Sequence, residues 1–278
     1  MDLRISTLPT SYGERAVIRL LDNANHLCDF EQLGMPPEVA IPYLERARRA
    51  NGMILLTGPT GSGKTTTLYS TLRQIGSSEI NILTIEDPIE YELSTVGLAI
   101  SQSQVNPKKG VTFATGLRHI LRQDPDVVMV GEIRDGETAR IAIQSSLTGH
   151  LVFSTLHTND SASAVTRLLD LGIEPYLVSA SLSAVLAQRL VRKFHASCQG
   201  KGCIDCFNTG FAGRGGLFEL LVVTDALREL IASEAPLAQI RQSAKSAGLH
   251  TLKEEGDRLV SLGLTSQSEV DRVVHGAF

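Results

Sequence analysis

The sequence has little that would mark it for nucleic acid, a membrane or an oxidising compartment. Tryptophan is absent, aromatic residues make up 5 % of the 278 residues, and the formal charge is −4. With neither a basic stripe nor aromatic platforms, nucleic-acid binding is not expected. No run approaches the roughly 18 uncharged apolar residues that a membrane-spanning helix needs. The opening residues, Met1-Asp2-Leu3-Arg4, lack the apolar segment of a secretory signal. Of four cysteines, three fall between 198 and 206 and Cys28 stands alone. That spacing fits a metal knuckle better than a disulfide framework. The expectation is a cytosolic chain, and 42 % hydrophobic residues are enough to build a core.

What is present centres on residues 58–65, Gly58-Pro59-Thr60-Gly61-Ser62-Gly63-Lys64-Thr65. An apolar strand, 53–57, precedes this stretch and a helix with Leu68 and Leu72 follows it, which is the context of a phosphate-binding loop. The glycines let backbone N–H groups point inward around a polyphosphate, and the helix presents its positive end to the same anion. Lys64 would meet the β- and γ-phosphates of a nucleoside triphosphate, and the Thr65 hydroxyl would hold Mg²⁺.

Strand-like runs at 53–57, 80–85, 127–130 and 151–155 alternate with helical stretches at 65–75, 112–122, 136–147 and 161–170. Alternation of this kind predicts an α/β fold, a sheet covered by helices. A helix is expected from 38 to 50. Beyond Pro175 strands fade, apart from 216–222, and helices at 225–233, 237–247, 252–262 and 267–274 form a small cap. The last opens with a capping box, Ser266 and Glu269. Residues 3–6 and 15–20 read as two strands joined by a turn around Pro9 and Gly13. Two strands alone bury too little to be stable, so this end is expected to be part of a larger domain. The expected organisation is 1–22 as remnant strands, 23–37 as linker, 38–190 as core, 191–215 as knuckle and 216–278 as a strand with helices.

Two acids stand where parallel sheets bind ligands. Glu86 ends the second core strand, where it would hold Mg²⁺ through water or orient the attacking water, the plainer reading being a solvated strand end. Glu132 follows an apolar strand and Gly131, one place beyond the usual metal-binding Asp, and Asp135 reads as a helix cap. His150 and His157 bracket another apolar strand, and imidazole can donate to a phosphate oxygen. Arg4, Arg19, Arg118 and Arg122 are either solvated charges or cations that neutralise a transferring phosphoryl group.

Together these residues resemble the secretion ATPase superfamily, which powers type II secretion and type IV pilus extension and retraction. The likeness runs through 4–10, 13–15, the phosphate loop, 85–91, 121–135, 148–160, 187–192 and 213–221. It implies a RecA-like ATPase core and Mg²⁺-dependent ATP hydrolysis in a hexameric ring. Lys64 and Thr65 would be its phosphate and Mg²⁺ residues, Glu86 and Glu132 its catalytic acids, His150 and His157 its histidine box. Arg4, Arg19, Arg118 and Arg122 would complete the site. The implied partners are an inner-membrane platform and membrane-anchored docking proteins, with the protein cytoplasmic and peripheral at the inner membrane. Gln144–His150 and the knuckle resemble the type II secretion branch, with pilus assembly ATPases as the alternative. A nucleotide-binding assembly component with negligible hydrolysis is a further alternative.

Two features depart from the family pattern. The family carries a longer N-terminal region, and this chain enters partway through the domain before the core. The family's two Cys-x₂-Cys pairs become His195-x₂-Cys198 and Cys203-x₂-Cys206, four residues apart. One His and three Cys remain a tetrahedral set for a structural Zn²⁺, the other reading being free thiols.

Overall fold

The computed structural model of the protein describes residues 2–21, 28–93 and 98–275. A ribbon of β1 (Asp2–Thr10) and β2 (Gly13–Leu21) comes first. The helices α1 (Phe30–Leu33) and α2 (Pro37–Ala47) lead into β3 (Gly52–Thr57) and α3 (Lys64–Ile75). Then follow β4 (Ile82–Glu86), β5 (Ile100–Gln104), α4 (Phe113–Ile120), β6 (Val127–Val130), α5 (Gly136–Leu147), β7 (Leu151–Leu156), α6 (Ser161–Asp170) and α7 (Pro175–Ser181). The chain ends with β8 (Leu182–Phe194), β9 (Phe211–Val222), α8 (Asp225–Ala232), α9 (Leu237–Ser246), α10 (Leu252–Ser261) and α11 (Gln267–His275).

The main sheet has seven strands in the order β5-β4-β6-β7-β3-β8-β9. All pairs are parallel except β8 with β9, which is antiparallel. Strands buried on both faces favour apolar residues on both, which is why β3, β6 and the first half of β7 read as near-continuous runs. Along β3, Met53 and Leu55 pack with α4–α9, while Ile54 and Leu56 pack with α1–α3. The first and second core strands, β3 and β4, are separated by β7 and β6, so the C-terminal ends of these four strands open a crevice.

The expected α/β core, the four C-terminal helices and the separate N-terminal strands are all present. The expectation that strands fade beyond Pro175, apart from 216–222, fails at β8, while 216–222 is the second half of a longer β9. β8 runs for 13 residues and β9 for 12. Polar residues inside β8, Ser183, Gln188 and Arg189, disguise it, yet they are buried because the strand is interior to the sheet. β5 was also unexpected, its Ile-Ser-Gln-Ser-Gln being too polar to read as a strand; it lies at the sheet edge. α2 stops at Ala47, short of the expected 50. In the ribbon, Pro9 lies inside β1, and the turn is Ser11-Tyr12. Residues 23–27 of the expected linker lie outside the described residues; Phe30 and Met35 beyond them are buried.

The Ser266–Glu269 capping box forms by half. The Ser266 hydroxyl accepts from Glu269 N at 3.2 Å. The Glu269 carboxylate turns instead to Arg192 N (3.0 Å), the Arg192 guanidinium (2.7 Å) and Arg272 (2.7 Å), tying α11 to β8. Burial would push this carboxyl up, but the bonds from Arg272 and Arg192 outweigh it and bring its pKa to about 2. Because the folded value lies below the unfolded one, the stabilisation is complete above pH 4.5 and is lost as pH falls towards 2. Acid titration of stability should show a loss of about 3 kcal/mol in wild type that is missing in Glu269→Gln.

Glu219 of β9 plays a similar role between helices. Its buried carboxylate accepts from Ser161 N (2.9 Å) and Ser161 Oγ (2.5 Å) at the start of α6, and from Leu252 N (3.1 Å) at the start of α10. Ala187, Val191 and Leu217 of the sheet pack there on Leu252, Leu259 and Val270 of α10 and α11.

Candidate nucleotide site

The loop between β3 and α3 is shaped by glycines with positive φ, 149° at Gly58 and 88° at Gly63. A Cβ at Gly58 would lie 2.7 Å from Ser62 Oγ, and one at Gly63 would lie 2.8 Å from Gln188 Nε2. Side chains are therefore excluded by both conformation and space. Behind the loop, Gln188 Oε1 accepts from Thr67 Oγ1 at 2.8 Å. Arg189 donates to Asn159 O at 2.9 Å. The Thr57 hydroxyl accepts from Thr158 N at 2.8 Å, which fixes the segment carrying His157 beside the loop.

Lys64 is buried and folds back on its own loop, donating to Gly58 O at 2.7 Å and Pro59 O at 3.0 Å. Burial lowers its pKa to about 8, with Glu132 working against the shift and Arg189 with it. An anion in the loop would offer the ammonium better acceptors than two neutral carbonyls.

Thr60–Thr65 (the loop and the first turn of α3), Glu86, Glu132 and His157 border one cleft of about 660 Å³. Glu86 is 3 % exposed. Its Oε1 accepts from Thr84 Oγ1 (2.6 Å) and Gln102 Nε2 (3.0 Å), and its Oε2 accepts from Tyr69 Oη. Glu132 is held at the cleft wall by Arg134, and His157 Nε2 lies 3.5 Å from its Oε2. Gly131 N donates to Ile85 O at 2.8 Å, and a Cβ at Gly131 would meet Ile85 O at 3.3 Å and Glu86 Cα at 3.4 Å, contacts that a small shift absorbs. That backbone bond holds the two acidic strand ends side by side.

The other expected residues are not gathered here. His150 is at the opposite end of β7, its Nδ1 3.0 Å from Ser145 O. Arg118 on α4 pairs with Glu137 at 2.7 Å, and Arg122 is exposed in the turn after that helix. Arg4 and Arg19 stand opposite each other in the ribbon register. Sequence reasoning missed Arg134, Arg214 and Tyr91, which border the cleft. Arg134 and Arg214 sit inside motifs already singled out, Gly131–Asp135 and Gly213–Leu221, and that was the signal available.

At the knuckle, His195, Cys198, Cys203 and Cys206 bring their ligand atoms within 4.8 Å of one another. The sulfur separations are 3.8 Å for Cys198–Cys206 and 3.6 Å for Cys203–Cys206, and Cys203 Sγ lies 3.4 Å from His195 Nδ1. A tetrahedral zinc with ordinary bond lengths spaces its sulfurs about 3.8 Å apart and a sulfur and nitrogen about 3.5 Å apart. The residues fit that ion. Burial pushes the Cys206 thiol up, but N–H groups of Cys203 and Gly210 and the neighbouring thiols bring it to about 6.

The family described as "Type II/IV secretion system protein" matches residues 1–272. The chain is 49 % identical to the type II secretion system protein HxcR of Pseudomonas aeruginosa, over 100 % of this chain and 60 % of that protein. It is 50 % identical to the type II secretion system ATPase E of Vibrio cholerae, over 98 % of this chain and 58 % of that protein. It thus spans about three fifths of the length of these relatives. Among solved structures it is similar to the pilus retraction motor PilT with bound ADP, with a TM-score of 0.77 and 31 % identity over 98 % of this chain and 73 % of that one. Among the described residues no helix is long and apolar enough to cross a membrane. A RecA-like sheet, a glycine-shaped loop with two acids opposite it and a match along nearly the whole chain lead to one assignment: the chain belongs to the type II/IV secretion system protein family.

Proposed function

We propose that the protein hydrolyses ATP to ADP and phosphate as the motor of a type II protein secretion system, driving pseudopilus assembly and protein export. The observation that carries this reading is the placing of Lys64, Thr65, Glu86 and Glu132 on one cleft. Residues Gly58–Thr65 would wrap the phosphates and Thr65 would hold Mg²⁺, which when bound offsets charge on the β- and γ-oxygens. Glu132, the more accessible acid, would orient the attacking water and accept its proton, with His157 beside it sensing the γ-phosphate.

Arg118 and Arg122 do not border their own cleft, so in this reading they serve a neighbouring subunit of a hexamer, and Arg4 and Arg19 reach the nucleotide from the N-terminal ribbon. His150 acts from the far end of β7. Residues 38–190 form the ATPase core, 191–215 the knuckle with a structural Zn²⁺, and 216–278 the C-terminal strand and helices; 23–37 link them to the domain represented by 1–22. The partners are the inner-membrane platform and membrane-anchored docking proteins, reached from the cytoplasm.

The type II assignment over pilus assembly is supported by the relatives above. The type IV pilus assembly ATPase PilB of Thermus thermophilus is 45 % identical, over 97 % of this chain and 33 % of that protein. Phosphate release per chain, measured against protein concentration, tests the motor reading. A steep rise supports a ring with shared sites. Equal inactivity in dilute and forcibly hexamerised protein would leave a nucleotide-binding assembly component.

A further inference from the structure

We propose that Tyr69 is a positioning residue for the reaction, holding Glu86 and the segment 87–93 in register with the phosphate loop; this rests on the ATPase reading above. Tyr69 is five residues after Lys64 on the same helix and is fully buried. Its hydroxyl donates to Glu86 Oε2 and also accepts from Glu90 N at 3.4 Å. Burial, followed by the negative charge of Glu86, pushes the phenol well above its ordinary range, so it stays a donor. Its ring packs edge-on against Tyr91, 4.9 Å between centroids.

Gln102 completes the cage from β5. Its amide N–H donates to Glu86 Oε1 (3.0 Å) and Tyr91 O (3.2 Å), and its Oε1 accepts from Leu93 N at 2.6 Å. A carboxylate offers about four acceptor sites. Thr84, Gln102 and Tyr69 occupy three of those on Glu86. What remains is a single acceptor direction on a group that borders the cleft. The cage therefore decides where Glu86 can receive a hydrogen bond. Because Tyr69 rides on the helix that begins at Lys64, any shift of that helix when phosphate binds is handed directly to Glu86 and the 87–93 segment. No other donor to Glu86 comes from α3 among the described residues.

Tyr69→Phe removes the hydroxyl and keeps the ring against Tyr91. In assembled wild-type and variant protein, kcat for ATP should fall about 10–100-fold while KM stays within about twofold, the pattern of a misplaced group rather than lost binding. In a Glu86→Gln background the same change should cost less than about twofold, since the two act as one unit. Deuterium exchange of the 87–93 peptide should quicken in Tyr69→Phe. An unaltered kcat, or an equal loss in the Glu86→Gln background, would overturn the proposal. The exchange readout needs no turnover. If wild type released no phosphate, the ATPase reading would fail, while faster exchange would still support the tether and unchanged exchange would sink it.

Discussion

Lys64→Ala should lose both ATP binding and hydrolysis, whereas Glu132→Gln should keep the nucleotide and lose turnover. The two changes separate because the residues meet different charges. Lys64 is the buried cation of the loop, and its hydrogen bonds to a bound phosphate would be of the charge-assisted kind, so its removal should weaken ATP binding by about 100-fold. In the proposed mechanism Glu132 would act on the attacking water, and loss of a positioned general base costs about 10²–10⁴ in kcat with little change in affinity. Titration with a non-hydrolysable ATP analogue and steady-state phosphate release measure the two effects. Wild-type turnover by both variants in assembled rings would overturn the assignment. A pH signature accompanies the lysine. Its folded pKa of about 8 lies below the ordinary lysine value of 10.5, so a charged Lys64 costs the fold stability below pH 8. That cost is relieved as pH rises through this window. The stability of wild type relative to Lys64→Met should improve between pH 8 and 10.5.

The second large effect concerns the knuckle. Purified protein should contain one Zn²⁺ per chain, and Cys206→Ser should contain none. Structural zinc contributes roughly 10–16 kcal/mol of apparent binding energy in small sites, so its loss should melt residues 195–210. The melting should stop at the base, where Phe194 stacks on Phe211 at 5.5 Å and the Arg192 guanidinium lies 4.3 Å over the Phe211 ring. Metal analysis and deuterium exchange of the 195–210 peptides check this. Wild-type protein free of zinc, with exchange unchanged by Cys206→Ser, would return the cluster to free thiols.

The phosphate loop, the acidic strand ends and the parallel sheet were legible because each depends on local pattern: glycines at fixed spacing and apolar runs bounded by acids. β8 was not legible, since Gln188 and Arg189 look like surface residues until the loop they brace is present. The tether on Glu86 was hidden for the same reason. Thr84 shares a face of β4 with Glu86, but Tyr69 and Gln102 lie on two other elements, and nothing in their spacing brings them to the same carboxylate. Lys64 was expected to face phosphate, and its fold-back onto Gly58 and Pro59 follows from burial, which spacing does not report. The capping box failed halfway because Arg192, 77 residues distant, competes for Glu269.

The carboxylate of Glu219, shared by the starts of α6 and α10, bears on how the chain can be shortened. A cut before residue 251 would strip a partner from that buried acid and uncover Ala187, Val191 and Leu217 to water. Residues 251–275 are thus a lid sewn into the sheet, and trimming them unpicks the seam behind the half that carries the phosphate loop.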